Sequence, residues 1–301
     1  MKQTRGTIKL VALDLDGVVY RGGMVLPGAR EALEDVLARG LDLRYVTNNS
    51  TAHREDVAAR LTSMGLPADR DRVLTSGVVT AHWLRERLPS GSRVLVVGEQ
   101  GLMRELAEAG LAPVHAGDSN QAADENQAVA RSRAGDTDPW IMEDAGRFAA
   151  VVVGMDRGFT YAALDSAQAA VRAGALFVAT NPDATYPLPE RLAPGAGSLV
   201  VAVATAAGTE PVIMGKPGLA LADALVQLAG VSSDATLFVG DRLDTDVEMA
   251  KGAGMVAVLV LTGATTRDEL RRYEEEGTTP RPDHVLDDLG QLPALLDRLG
   301  A

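Results

Sequence analysis

The chain has 301 residues, a formal net charge of −12 at pH 7 and no cysteine. The length suggests about two domains, and the absence of cysteine excludes disulfides, thiolate metal sites and cysteine nucleophiles. The negative charge argues against a nucleic-acid or anionic-membrane surface, because an excess of Lys and Arg holds phosphate backbones. No apolar run approaches the roughly 20 residues that cross a bilayer, and the N-terminus does not read as a secretory signal. We therefore expect a cytoplasmic protein.

Apolar β-branched runs alternate with helical patterns, which predicts parallel sheets with helices on both faces. Predicted strands cover residues 8–13, 41–46, 73–74, 94–97, 149–153, 176–179, 212–214, 236–239 and 256–261. Predicted helices cover residues 28–39, 53–64, 77–88, 103–109, 161–173, 199–207, 219–228, 244–251, 267–276 and 289–299. The polar segment 116–146 interrupts this rhythm, and we expect partial disorder or a short extra helix near 121–130.

The first candidate motif is Asp14-Leu15-Asp16-Gly17, which directly follows the predicted strand 8–13. Ligands of open α/β sheets bind beyond the carboxyl ends of the strands. Two carboxylates there offer the oxygen ligands that Mg²⁺ prefers, and a possible acid/base pair. Gly17 permits a tight turn that folds the second carboxylate over the first. Taken alone, the tetrapeptide is equally consistent with two aspartates that cap a helix.

The second motif, Thr47-Asn48-Asn49-Ser50, follows the predicted strand 41–46. A hydroxyl, an amide and backbone N–H groups before a helix can bind an anion. The alternative is a plain helix N-cap by Ser50 or Thr51, and for this motif alone that alternative is the stronger.

The third and fourth motifs each follow a short apolar run. Lys216 follows the predicted strand 212–214, with Pro217 suited to a first helical position; an isolated lysine is more often a surface residue. Asp241 follows the predicted strand 236–239 and Asp246 lies about one helical turn later, although acids at a helix start are also favoured by the helix dipole. Because all four motifs follow strands, we expect them to converge on one edge of one sheet.

In this order, the four motifs resemble those of the haloacid dehalogenase superfamily of phosphatases. The long segment between the second and third motifs resembles subfamily IIA, which includes p-nitrophenylphosphatase- and phosphoglycolate phosphatase-like proteins and carries a type-IIA cap at that point. Further stretches similar to this branch are residues 46–50, 153–156, 180–183, 194–198 and 214–217. The resemblance covers nearly the whole chain, and only the long 116–146 segment departs from it.

The resemblance implies an α/β fold: a Rossmann-like, doubly wound parallel-sheet core with an inserted α/β cap domain. The catalytic core would comprise residues 1–82 and 209–301, and the cap residues 83–208. The cap would select the substrate through Asp183 and Tyr186, although Tyr186 is equally interpretable as an aromatic residue of the cap core. A homodimer through the cap is a further expectation.

The resemblance also implies the chemistry, which is Mg²⁺-dependent hydrolysis of a small phosphorylated metabolite. Asp14 would attack phosphorus and form an aspartyl-phosphate. Asp16 would protonate the leaving alcohol and then activate water. Candidate substrates are phosphoglycolate, glycerol phosphate, a sugar phosphate or a nucleotide, with p-nitrophenyl phosphate as a surrogate.

The remaining motif residues would bind the metal and the phosphate. Mg²⁺ would be held by Asp14, the carbonyl of Asp16 and Asp241. Thr47, Asn48 and Lys216 would bind the phosphoryl oxygens. The residues that would support these groups are Asp246, Gly17 and Asn49.

Two other functions are weighed against hydrolysis. A phosphotransferase or mutase of this superfamily usually has a small helical cap after the first motif, whereas only residues 18–27 separate that motif from the next predicted helix. A non-catalytic metabolite-binding or regulatory protein is disfavoured by the complete set of acids. Asp16 favours a phosphatase, because dehalogenases of the superfamily lack this second acid.

Overall fold

A computed structural model describes residues 7–117, 146–187 and 191–301. The extra helix expected near 121–130 lies outside the described residues. The chain forms two compact units. The first unit comprises Met1–Thr47, Arg54–Thr75 and Lys216–Ala301, and the second comprises Asn48–His53 and Ser76–Gly215.

The helices and strands follow the predicted alternation. The strands are β1 (Leu10–Asp14), β2 (Tyr20–Arg21), β3 (Met24–Val25), β4 (Asp42–Thr47), β5 (Val73–Thr75), β6 (Arg93–Val97), β7 (Ala112–His115), β8 (Ala150–Val153), β9 (Leu176–Ala179), β10 (Thr185–Pro187), β11 (Leu192–Pro194), β12 (Val212–Ile213), β13 (Thr236–Gly240), β14 (Val256–Val260) and β15 (His284–Leu286). The α-helices are α1 (Ala29–Ala38), α2 (Arg54–Ser63), α3 (Ser76–Arg85), α4 (Gln100–Glu108), α5 (Tyr161–Arg172), α6 (Ala196–Ala207), α7 (Leu219–Ala229), α8 (Glu248–Gly252), α9 (Arg267–Glu275) and α10 (Leu292–Leu299). Short 3₁₀ turns lie at Arg70–Arg72, Ser233–Ala235 and Leu289–Gln291.

The first unit is built on a parallel sheet with the strand order β15-β14-β13-β1-β4-β5. The apolar residues of β1 are fully buried, as expected for a strand that is covered on both faces. Along the chain, β1, β4 and β5 are added toward one edge of the sheet, whereas β13, β14 and β15 are added toward the opposite edge. Because parallel crossovers are right-handed, this reversal places helices on opposite faces. The sheet is therefore doubly wound, with its switch point between β1 and β13.

The second unit has its own parallel sheet, with the strand order β12-β9-β8-β6-β7. Its core joins apolar side chains of β6, β8 and β9 to small and β-branched residues of α5 and α6. Alanines on α5, such as Ala163 and Ala167, are fully buried or nearly so, so the helix lies close to the sheet. The α/β character predicted for both parts of the chain is confirmed.

Four short elements were not predicted from the sequence. They are the hairpin of β2 and β3, the hairpin of β10 and β11, and the edge strands β7 and β15. Each contains only two to four residues, which is too short for a periodic pattern of buried and exposed positions.

The expectation that all four motifs follow strands of one sheet is wrong for Lys216. The strand before it, β12, pairs with β9 and belongs to the sheet of the second unit. Asp14, Thr47 and Asp241, in contrast, lie at the ends of β1, β4 and β13 in the first sheet. An apolar run predicts a strand but not the sheet that the strand joins. The sequence pattern therefore could not show that β12 belongs to a different sheet from β1, β4 and β13.

The predicted helix 244–251 is also wrong in its first half. A π-helical turn covers Leu243–Val247, with the N–H of Val247 donating to the carbonyl of Arg242, and α8 follows it. The wide turn lets Asp246 fold back, so that its Oδ2 accepts the N–H groups of Asp241 and Arg242, both at 3.1 Å. Turns of this kind are frequent at functional sites.

Pro217 is not the first residue of a helix, because α7 begins at Leu219 with Gly218 as its N-cap. Across the described residues, we find no helix with the length and apolar character that a membrane span requires.

Candidate active site

A buried lysine joins two aspartates at the switch point of the first sheet. The Nζ of Lys216 lies 2.6 Å from Oδ1 of Asp14 and 2.7 Å from Oδ1 of Asp246. The side chains of Lys216 and Asp246 are 4% and 1% exposed, while that of Asp14 is 13% exposed. Such a buried cation fixes the two carboxylates, because removing either partner would leave an uncompensated buried charge.

Asp241 completes this group, which we call the aspartate cluster (Asp14, Lys216, Asp241 and Asp246). One carboxylate oxygen from each of the three aspartates lies within 4.8 Å of the others. Oδ2 of Asp241 accepts the N–H of Ala264 at 2.5 Å. Asp14 and Asp241 come from adjacent strands, β1 and β13, which explains how residues more than 200 positions apart meet.

Burial perturbs the pKa values of this cluster. Desolvation raises the pKa of Asp14 to about 8, opposed by Lys216 and reinforced by the charges of Asp246 and Asp241. Desolvation and the charge of Asp246 raise the pKa of Asp241 to about 6. Burial alone would lower the pKa of Lys216, but Asp14 and Asp246 more than offset this and raise it. Without a further cation, Asp14 and Asp241 therefore hold protons more strongly than they would in water.

Two glycines, which lack a Cβ atom, make room for the side chains of Asp246 and Asp241. A Cβ at Gly240 would lie 2.1 Å from the Cβ of Asp246. Gly17 has a φ of +81°, in the left-handed region that glycine adopts without strain, and a Cβ there would lie 2.5 Å from Oδ2 of Asp241. The turn that Gly17 was expected to provide is thus present, and it also makes room for Asp241.

Asp16 has a different environment from Asp14. The hydroxyl of Tyr20 donates to Oδ2 of Asp16 at 3.4 Å, and the guanidinium of Arg60 lies over the Tyr20 ring at 4.7 Å. Burial raises the pKa of Asp16, although Arg60 and the hydrogen bond from Tyr20 act in the opposite direction. Neither Tyr20 nor Arg60 was singled out from the sequence, since each stands alone without a motif.

The donor set of the aspartate cluster fits a hard divalent cation. All three acids offer carboxylate oxygens, which Mg²⁺ and Ca²⁺ prefer. Lys216 donates to Oδ1 of Asp14 and the N–H of Ala264 donates to Oδ2 of Asp241, so the other carboxylate oxygen of each aspartate is suited to the cation. Both oxygens of Asp246 already contact Lys216 or backbone N–H groups. Asp246 is therefore better placed to orient its neighbours than to bind the metal directly.

Two family models and a characterised relative match this chain. The family model of haloacid dehalogenase-like hydrolases matches residues 11–112, and a model of HAD-hydrolase-like proteins matches residues 213–292. The dihydroxyacetone phosphatase of Corynebacterium glutamicum is 33% identical over 93% of this chain and 88% of that protein.

The chain belongs to the haloacid dehalogenase-like hydrolases. It is an enzyme, a phosphoric monoester hydrolase of that superfamily, and the predicted family resemblance is confirmed.

Two solved structures extend the likeness to the fold of this hydrolase. The p-nitrophenyl phosphatase of Archaeoglobus fulgidus has a TM-score of 0.81 and 29% identity, covering 96% of this chain and all of that one. The glycerol phosphate phosphatase of Mycobacterium tuberculosis, solved with calcium, has a TM-score of 0.76 and 36% identity, covering 94% of this chain and 74% of that one. Enzymes of this superfamily generally use a divalent metal, in agreement with the aspartate cluster.

The hydrolase places the residues of its second motif in both units. Thr47 is buried at the end of β4 in the first unit, in register with Thr75. In the second unit, the side-chain amide of Asn48 donates to Oδ2 of Asp183 at 3.1 Å. The carbonyl of Asn48 accepts hydrogen bonds from Asn181 at 2.8 Å and Ser76 at 2.7 Å. Asn48 thus joins the loop of Asp183, a link that sequence spacing could not predict.

The N-cap alternative for the second motif is wrong. Helix α2 starts at Arg54, too far along the chain for Ser50 or Thr51 to cap it. Ser50 instead donates to the hydroxyl of Thr180 at 3.2 Å. The exposed Asn49 accepts both the N–H and the hydroxyl of Thr51 at 2.8 Å, which forms a local turn.

The two residues expected to select the substrate lie in the second unit. Asp183 is held by Asn48, as described above, and Tyr186 lies half-buried on β10. A hydrogen bond with Tyr186 and the charge of Glu99 raise the pKa of Arg157. Arg157 and Glu99, 3.2 Å apart, were not identified from the sequence because neither belongs to a recognisable motif.

Proposed function

We propose that this hydrolase is a Mg²⁺-dependent phosphomonoesterase that forms an aspartyl-phosphate on Asp14. The observation that carries the proposal is the buried contact between Lys216 and Asp14. A nucleophilic carboxylate must approach an anionic phosphate, and a buried cation 2.6 Å away offsets part of that repulsion. Bound Mg²⁺ would supply additional positive charge and orient the phosphate.

We assign the roles of the individual residues as follows. Asp14 attacks phosphorus, and Asp16 first donates a proton to the leaving oxygen and then accepts one from the attacking water. Lys216, Thr47 and Asn48 stabilise the phosphoryl oxygens.

We assign cation binding to Asp14, the carbonyl of Asp16 and Asp241. Asp246 fixes Lys216 and the backbone of Asp241, while Gly17 and Asn49 keep the adjoining turns in place. The carboxylate donors in the aspartate cluster support this assignment. The preference for Mg²⁺ over Ca²⁺ rests on its tendency to keep several water ligands and to bind phosphate oxygens.

For the substrate, we propose a small phosphorylated metabolite. The names of the related phosphatases point to glycerol phosphate and to the phosphate of dihydroxyacetone. Phosphoglycolate, sugar phosphates and nucleotides complete the panel to be tested. We also propose that residues 83–208 act as the specificity cap, with Asp183 and Tyr186 facing the leaving group, and that two caps can form a homodimer.

The mechanism is tested by Mg²⁺-dependent phosphate release from p-nitrophenyl phosphate. Asp14→Asn should abolish release, because an amide cannot serve as the phosphoryl acceptor. Asp223→Asn is a matched control, since Asp223 is an exposed aspartate on α7 of the same unit. Undiminished activity of Asp14→Asn would disprove the aspartyl-phosphate route.

The same assays distinguish the two alternative functions. Formation of a sugar-phosphate isomer instead of free phosphate would support a mutase. No turnover of any substrate would support a non-catalytic regulatory protein.

A further inference from the structure

The segment 262–264, which follows β14, packs against one side of the Asp241 carboxylate. The N–H of Ala264 donates to its Oδ2 at 2.5 Å, and the N–H of Thr265 donates to the carbonyl of Asp241 at 3.1 Å. Both the side chain and the backbone of Asp241 are therefore fixed by consecutive amides of one loop. No motif recognised in the sequence includes this loop.

Gly263 allows the backbone of the loop to lie very close to the Asp241 carboxylate. A Cβ at this position would lie 1.9 Å from Oδ2 and 2.4 Å from Cγ of Asp241. These separations are far below van der Waals contact, so any other residue would displace the carboxylate. The glycine is required here by lack of space rather than by an unusual backbone conformation.

The segment is itself anchored to the turn that follows β1. The hydroxyl of Thr262 donates to the carbonyl of Gly17 at 2.7 Å. The guanidinium of Arg21, on β2, donates to the carbonyls of Thr262 and Gly263. The loop after β14 and the turn of the first motif are thus hydrogen-bonded to each other, and Gly17 and Gly263 both approach Oδ2 of Asp241.

We propose that segment 262–264 positions Asp241 for cation binding, with the N–H of Ala264 engaging Oδ2 so that Oδ1 is presented to the metal. This inference rests on the proposed function, because that function makes Asp241 a ligand. Groups that orient metal ligands typically change metal affinity or activity by about 10–100-fold when they are altered. Gly263, Ala264 and Arg21 are positioning residues in this scheme, because they act on the metal only through Asp241.

The test is Mg²⁺ binding to the full chain by isothermal titration calorimetry. Gly263→Ala should weaken binding by about 10–100-fold, and the Mg²⁺ concentration for half-maximal phosphatase activity should rise in parallel. Gly146→Ala is the control, since a Cβ at Gly146 meets nothing within 4 Å and its φ is not left-handed. An unchanged Mg²⁺ affinity in folded Gly263→Ala would overturn the proposal.

A second variant keeps the test informative if Gly263→Ala does not fold. Arg21→Gln removes an exposed side chain that holds the loop from outside, so the fold should survive while Mg²⁺ binding weakens by several-fold, about the lower end of the effect above. Affinity equal to wild type in Arg21→Gln would then contradict the proposal. Asp241→Asn distinguishes a failure of the metal assignment from a failure of the positioning role. If Asp241→Asn binds Mg²⁺ as tightly as wild type, Asp241 is not a metal ligand and the metal assignment fails. If Asp241→Asn binds Mg²⁺ weakly while both loop variants bind it normally, only the positioning role is rejected.

Discussion

The first unit buries Lys216 between two aspartates, and the second unit buries His53 beside two glutamates. In the second group, which we call the histidine cluster (His53, Glu105 and Glu108), Nε2 of His53 lies 3.3 Å from Glu105 and 3.2 Å from Glu108. His53 is fully buried and the Glu105 side chain is 1% exposed. Both clusters therefore combine one basic side chain with several carboxylates in a solvent-poor environment.

Their positions in the fold differ. The aspartate cluster lies where β1 and β13 end, at the switch point where doubly wound sheets bind ligands. The histidine cluster joins the segment 48–53 to one face of α4, on which Glu105 and Glu108 are one turn apart. The N–H of Gly101 also donates to the carbonyl of Thr51 at 3.1 Å. We therefore expect the aspartate cluster to serve the proposed reaction and the histidine cluster to attach a chain segment.

The largest expected effect is that of Lys216→Met on turnover. Without the ammonium group, Asp14 and the bound phosphate lose a buried positive partner, and kcat/KM should fall by about 10³-fold. Lys251→Met is the matched control, because Lys251 pairs with Asp283 at 2.9 Å in the same unit but away from the cluster. The control should lose on the order of 1 kcal/mol of unfolding free energy and keep its activity. Equal kcat/KM losses in the two variants would mean that Lys216 has only a structural role.

Mg²⁺ affinity should depend strongly on pH. Since burial raises the pKa of Asp14 to about 8 and that of Asp241 to about 6, both carboxyls keep protons at pH values where ordinary aspartates have lost them. A cation must displace these protons, so its affinity rises with pH, by roughly tenfold per unit for each proton released. Calorimetric titrations between pH 6 and 8 should show tighter binding at the higher pH, together with proton release. A dissociation constant that does not change over this range would contradict the raised pKa values.

The elements of the fold could be predicted to a large extent from the sequence, and the reason is visible in β1. A continuous apolar run before Asp14 predicts a buried strand, although a functional role for Asp14 could be inferred only together with the other three motifs. Asp241 could be inferred in the same way from the run of β13. These local patterns predict the strand, its burial and its end, whereas the doubly wound order was implied by the family resemblance.

Other features depend on contacts between distant segments, which local patterns do not record. The sheet to which β12 belongs is decided by its pairing with β9. Gly263 is identifiable only because Asp241, on another strand, occupies the space of its Cβ. His53 belongs to none of the four sequence motifs. Its glutamate partners lie about 50 residues later, on α4.

The histidine cluster should control stability rather than turnover. His53→Gln removes the basic partner of a carboxylate that is almost fully buried, which should lower the unfolding free energy by about 3 kcal/mol. The kcat of the folded variant at saturating Mg²⁺ should stay close to that of wild type. Chemical denaturation and steady-state kinetics on the same preparation measure both quantities. If His53→Gln has normal stability and a reduced kcat, the histidine cluster contributes to turnover rather than to stability, and the prediction is wrong.

The smallest effect is expected for Glu108→Gln. Its side chain is 34% exposed, compared with 1% for Glu105, so solvent screens its charge and the substitution should cost less than about 1 kcal/mol. Glu105→Gln should lower the unfolding free energy by more than Glu108→Gln does, because it alters the buried contact.

The side chains of the histidine cluster are of types that bind metals and lie close together, so the cluster could instead bind a cation. Adding Zn²⁺ to the Mg²⁺-saturated enzyme tests this alternative. If Zn²⁺ raises the melting temperature of wild type and Glu108→Gln removes that increase, the histidine cluster is a cation site, and the distinction drawn between the two clusters is wrong.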